Sequence, residues 1–169
     1  MNQQKNGRDI SANRAPTGIL NSVRSSLGPY GRPGGSFYLR GTSDSYIDFP
    51  NYPRGKLDTL RSISIFLWIY HKSKPGPIVN YRRKGHGIGL WLSGKPGMRR
   101  LKGHIYSRRY FYRRKIYSFK LQPRKWYYVG LTYDNKRGVA VLWVNGRVVR
   151  NMPTVFHPYL LCLLLWHNL

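Results

Sequence analysis

Glutamate is absent from this 169-residue chain, and five aspartates are all that stands for the acidic residues. Against them stand 30 lysines and arginines, for a formal charge of +25. Any acid–base pair of carboxylates must therefore be two aspartates brought together by folding, and Asp44, Asp48, Asp58 and Asp134 are dispersed. A hard-cation site is equally poorly supplied, because calcium wants several oxygens and commonly two or more carboxylates. Asp44 and Asp48, in or beside one turn, are its only plausible seed, and the surrounding positive field repels a cation. The single cysteine, Cys162, excludes an intrachain disulfide and a Cys/His zinc cluster. His71, His86, His104, His157 and His167 show no metal-ligand spacing such as His-Glu-x-x-His. No metal and no cofactor are expected.

Long apolar runs are missing too. No stretch reaches the roughly 18 residues of a membrane-span candidate. Residues 1–20 contain no apolar core of a secretory signal. Asn-x-Ser/Thr acceptors are absent, so glycosylation gives no hint of compartment.

What the chain does have is aromatic residues, 15% of the total with 14 Tyr and 5 Trp, and a clear period of two. The stretch Lys125–Arg150 carries the clearest pattern. Tyr127, Val129, Leu131 and Tyr133 share one face, while Trp126, Tyr128, Gly130 and Thr132 share the other. That is the alternation of a strand. Asp134–Gly138 supplies a turn, Val139–Val144 a second strand, and Asn145-Gly146 a tight hairpin turn because both residues tolerate positive φ. Arg147–Arg150 returns as a third strand, so the spacing predicts an antiparallel meander.

Earlier in the chain, Arg61–Tyr70 is equally regular, with Ile63, Ile65, Leu67 and Ile69 on one face. Phe37–Leu39, Tyr46–Phe49, Pro77–Tyr81 and Gly87–Leu92 read as further short strands bounded by Gly, Pro and charged turns. Short strands at this spacing predict an all-β antiparallel sandwich. Residues 1–35, polar and broken by Gly and Pro, are expected to form a flexible lead-in, with a weak helical turn near Ile19–Val23. Ser93–Lys120 is strongly basic and alternates imperfectly, so it has no clear assignment. Beyond Asn151 the period of two is lost, and Tyr159–Trp166 is eight apolar residues in a row. That tail, residues 151–169, reads as a buried closing segment, a partner-binding or membrane-contacting tail, or the product of truncation; truncation is the preferred reading, since lost closing strands leave an apolar face uncovered.

The motifs GSFYLRGTSDSYIDFP, SISIFLWIY, PIVNY, GIGLWL and KWYYVGLTYD…GVAVLWVNGRVV follow one another in the order of laminin-G-like, concanavalin A-like jelly-roll domains. The resemblance covers roughly residues 35–150, and residues 36–150 are taken as the domain. It implies two packed antiparallel sheets, often in extracellular proteins, that bind glycans or other proteins, sometimes through calcium. Glucanases of that superfamily use paired glutamates, and their motif is missing here, so the chain is read as non-enzymatic.

The charge supplies the functional expectation. Between Asp58 and Asp134 lie 18 of the 30 cations and no carboxylate. Arg82, Arg83 and Lys84 form one cluster; Arg99, Arg100 and Lys102 form a second; Arg108, Arg109, Arg113, Arg114 and Lys115 form the densest. Guanidinium groups hold sulfate, carboxylate and phosphate by paired, charge-assisted hydrogen bonds, so clustered arginine suits a polyanion. A solvated scatter of charge around a sandwich edge is the plainer alternative. Sulfated polysaccharide or another matrix ligand fits the resemblance. Single-stranded nucleic acid is the runner-up, since Tyr110, Phe111, Tyr112 and Tyr117 interleave with arginine and can stack bases.

Overall fold

The computed structural model describes residues 7–8, 15–51, 62–72, 74–83, 86–107 and 112–153, with the backbone alone for residues 82, 83, 86, 107, 112–114 and 119. Every regular element among them is a strand, and every pairing is antiparallel. No helix in the described residues is long and apolar enough to cross a membrane. The chain divides into two compact units, Met1–Thr59 and Leu60–Leu169.

The first unit holds four short strands: β1 (Ile19–Asn21), β2 (Val23–Ser26), β3 (Ser36–Leu39) and β4 (Tyr46–Asp48). β1 pairs with β4 and β2 with β3, as two separate ribbons. The expected helical turn at Ile19–Val23 is therefore wrong, and the stretch read as a polar lead-in contains two strands. The physical reason lies at Ser22, whose φ of 49° breaks the backbone between β1 and β2 and sends each to its own partner. Ser45 secures the junction. Its hydroxyl donates to the Ser22 carbonyl at 3.0 Å and accepts from the Arg40 amide at 2.9 Å. Ser22, 23 residues from Ser45 in sequence, is a partner invisible to a local reading.

The second unit is a sandwich of two four-stranded sheets. One has the order β12 (Arg147–Pro153), β11 (Val139–Val144), β10 (Trp126–Asp134), β5 (Ser62–Tyr70). The other has the order β6 (Gly76–Arg83), β7 (His86–Ser93), β8 (Arg100–Ser107), β9 (Tyr112–Lys120). We call them the meander sheet and the basic sheet. They face each other with β9 against β11 and β12, and β7 against β10. The predicted meander is present, and β12 runs on to Pro153, a residue an edge strand tolerates because one row of its amides needs no partner.

The core lies between the sheets. From the meander sheet come Ile69, Tyr127, Val129, Leu131, Tyr133, Ala140, Leu142 and Val144, with Ile63, Ile65 and Leu67 packed beside them. From the basic sheet come Ile88, Leu90, Leu92, Leu101, Ile105 and Ile116. The inward set on β5 and β10 is the set the alternation predicts. Tyr127 adds a polar tie, its hydroxyl accepting from the Gln122 amide at 3.1 Å.

The β11–β12 turn takes its shape from Asn145 and Gly146, at φ of 51° and 75°. Asn145 also holds β10 twice: its amide donates to the Tyr128 carbonyl at 2.7 Å, and its Oδ1 accepts from the Tyr128 amide at 3.0 Å. Asn145→Ala removes one of these bonds and places a Cβ-bearing residue without Asn's tolerance at positive φ. We expect it to lower unfolding free energy by about 1–2 kcal/mol in urea titrations. Asn145→Gly should recover part of that loss.

Candidate polyanion-binding surface

Strand register assembles one face of the basic sheet from residues distant in sequence. Asn80, Gly89, His104 and Lys115 form a cross-strand row. Beside it run Trp91, Lys102 and Tyr117, and on the other side Arg82, Gly87, Tyr106 and Arg113. Inward residues of β7 and β8 alternate with these rows, so the rows belong to the sheet's outer surface. Lys102 lies over the Tyr117 ring with its Nζ 4.9 Å from the centroid, a cation–π contact that holds the ammonium on the surface. His104 is buried on this outer face, beneath neighbouring rings. Trp91 packs on it at 5.5 Å between centroids, and its Nδ1 lies 2.9 Å from the Tyr106 hydroxyl. The Trp91–His104–Tyr106 group forms an aromatic floor between the cations.

At the side of the sandwich, where β9 and β12 are both terminal strands of their sheets, a cleft of about 480 Å³ opens. Arg100, Lys115 and Arg150 line it, with Tyr117, Ser118 and Asn151 as neutral polar groups and Ile116, Val149 and Met152 as its apolar wall. Among the described residues, no carboxylate lines it. Three cations from three strands thus converge on one opening, with hydrogen-bonding groups between them. Lys115, Arg100 and Arg150 are all exposed, so a ligand reaches them without displacing core.

The expected cations separate into four sets. Arg100, Lys102 and Lys115 lie on the outer face or cleft, and the register puts Arg82 and Arg113 in one row of that face. Arg83 pairs with His86 and Arg114 with Ile105, a register that alternates with those rows. Arg99 is the correction. It is only 5% exposed, held where its carbonyl accepts from the Leu121 amide at 2.7 Å, and so it does not present its guanidinium to solvent. Lys84, Arg108 and Arg109 lie outside the described residues. Arg150 and Asn151, which the sequence reading did not single out, reach the site because β12 folds over β9. Only the facing of two sheets brings them there, and no local signal reports it.

The remaining titratable groups are less suited to ligand chemistry. Asp44 is spoken for: hydrogen bonds from the Thr42 and Ser22 side chains hold its carboxyl below the ordinary range, and Arg40 donates to it at 2.9 Å. Among the described residues no three His, Cys or Asp side chains gather as a metal-binding group. His71, which follows β5 directly, is buried. Burial pushes its pKa down, nearby backbone of Gln122 and Leu121 offsets part of this, and the Arg99 charge adds to the lowering.

A base whose folded pKa is depressed binds its proton more readily when unfolded. Stability is then full above the ordinary histidine value of about 6.5 and declines as pH falls below it toward the folded value. We expect the melting temperature of the wild type to drop between about pH 7 and pH 5, and that drop to shrink in His71→Leu. Parallel thermal melts at the two pH values measure it; equal drops in both proteins would clear His71 of the effect.

No family model matches the chain, and no curated protein matches it.

Proposed function

We propose that this chain is a non-enzymatic recognition module for anionic polysaccharide, of the sulfated or uronic kind found among matrix ligands, built on a laminin-G-like jelly roll. Such a ligand would place the protein outside the cell. One observation carries the reading: Arg100, Lys115 and Arg150 converge on a cleft that no carboxylate lines among the described residues. Sulfate and carboxylate groups spaced along a polymer match cations spaced along strand edges, and the Lys102–Tyr117 pair extends the track onto the outer face. The absence of glutamate and the scatter of the aspartates support a binding rather than a hydrolytic role.

Both polyanion classes weaken with salt, so salt dependence alone does not separate glycan from nucleic acid. Competition does. The protein should be retained on a heparin column at low ionic strength, and soluble heparin should displace a bound single-stranded oligonucleotide more readily than the reverse. Passage through the column unretained, or an oligonucleotide that heparin fails to displace, would reject the glycan reading.

A further inference from the structure

The opposite surface of the sandwich, the outer face of the meander sheet, has a different chemistry. Its cross-strand rows run Ser62–Asp134–Val139, Ser64–Thr132–Val141, Phe66–Gly130–Trp143, Trp68–Tyr128 and Tyr70–Trp126. Six aromatic side chains therefore occupy three consecutive rows. Phe66, Trp68 and Tyr70 are 39%, 41% and 42% exposed, far more than a core ring would be. They touch their neighbours: Trp68 to Tyr128 at 5.3 Å, Tyr70 to Trp126 at 5.4 Å, Phe66 to Tyr128 at 5.6 Å and Phe66 to Trp143 at 6.1 Å between centroids. Two fixtures set the platform. Phe66 covers Gly130, where even a Cβ would come within 2.2 Å of the ring. The Trp143 indole N–H donates to the Thr132 hydroxyl at 3.1 Å.

Next to the rings, along the same face, is a shallow hollow of about 290 Å³ lined by Ser62, Ser64, Thr132, Asp134 and Arg137, among others. Asp134 and Arg137 lie 3.7 Å apart there and offset each other's charge. In a protein with 30 lysines and arginines, the outward positions of β5, β10 and β11 carry none.

We propose that this face binds an uncharged polysaccharide, lying along β5 with sugar rings on the aromatic platform and hydroxyls in the hollow. Pyranose rings have C–H bonds on their faces and hydroxyls at their edges. The hydrogens of those C–H bonds carry partial positive charge and meet the negative faces of aromatic rings, while the edge hydroxyls find Ser, Thr and carboxylate partners. Aromatic side chains at alternate positions of β5 recur about every 6.7 Å, so the platform runs along the strand as a track longer than one sugar ring. A nucleic acid is the poorer occupant, because its phosphates would find no cation among the outward strand residues. A second copy of the chain is also the poorer occupant. At 150–250 Å² per ring, the three β5 aromatics expose roughly 250 Å², and even doubling that falls short of the ~800 Å² per partner of a standard interface. The site shares no residue with the cationic cleft, so the two proposals stand or fall separately.

The test titrates cellohexaose, mannohexaose and chitohexaose against the full chain, read by tryptophan fluorescence. At least one should bind with an affinity that is the same at low and high salt. Trp68→Ala and Tyr128→Ala should each weaken it about tenfold or more, while Trp68→Ala leaves heparin retention unchanged. Circular dichroism checks that the variants keep the β fold, and Tyr70→Ala, at the strand end, replaces any that does not. The proposal is overturned if none of the three sugars shifts the fluorescence at about 1 mM, the weak end of specific affinity. It is equally overturned if the binding fades with salt, or if sedimentation shows a dimer that Trp68→Ala converts to monomer.

Discussion

Leu131→Ala is expected to remove about 3–5 kcal/mol of stability, a large share of the 5–15 kcal/mol that holds a typical domain. Leu131 has no exposed surface and sits at the centre of β10, the strand that pairs on both sides. Its cross-strand neighbours are Ile65 and Leu142, and across the sandwich it reaches Gly103, whose missing side chain leaves room for the leucine methyls. Truncation loses the transfer of those methyl groups and leaves a cavity that neighbours on two rigid sheets cannot fill. Ser64→Ala, one row away on the outer side, should move stability by less than about 0.5 kcal/mol. Urea unfolding of the two variants makes the comparison. A Leu131→Ala protein as stable as the Ser64→Ala protein would mean that the two sheets do not pack through β10.

The second large effect concerns binding. Changing Arg100, Lys115 and Arg150 together to glutamate should abolish heparin retention at physiological ionic strength. Each cation removed from a polyanion contact lowers the slope of log affinity against log salt by roughly one, and each glutamate adds repulsion where attraction stood. The three side chains are exposed and contribute little to the core, so the melting temperature should hold. The chain stays strongly basic after the change, which makes the control decisive. Lys136→Glu, Arg124→Glu and Lys125→Glu in a second triple variant shift total charge equally from turn positions away from the cleft. If net charge alone drives retention, both triples will elute together, and the cleft will have no special standing.

Much of the sandwich could be read directly from alternation. Ile63 to Ile69 and Tyr127 to Tyr133 point inward as their spacing requires, and Asn145-Gly146 makes the turn its two residues favour. The basic middle was harder for a physical reason. Leu101, Gly103 and Ile105 do face inward on β8, but His104 between them is buried as well, beneath Trp91, so the polar-outward half of the pattern is disguised. On β9, Ser118 takes an inward position, its hydroxyl accepting from the Leu101 amide at 3.0 Å. A polar residue inside and a ring-capped histidine outside together erase the period of two. The cleft was illegible for a different reason. Arg100 and Lys115 were expected to bind, but their partner Arg150 comes from the other sheet, and Arg99 beside them turned inward.

β9 and β12 end their sheets, and each leaves a row of amides and carbonyls without a neighbouring strand among the described residues. Exposed Lys115 on one and Arg147 and Arg150 on the other post like charge along those borders, the usual guard against one molecule zipping onto the next. A ligand that neutralises the cleft also disarms that guard. If the cleft takes an anionic polymer as proposed, occupancy and self-association would be linked through one set of side chains: with little polymer bound the molecules would repel, and with their borders discharged they would be free to line up along it.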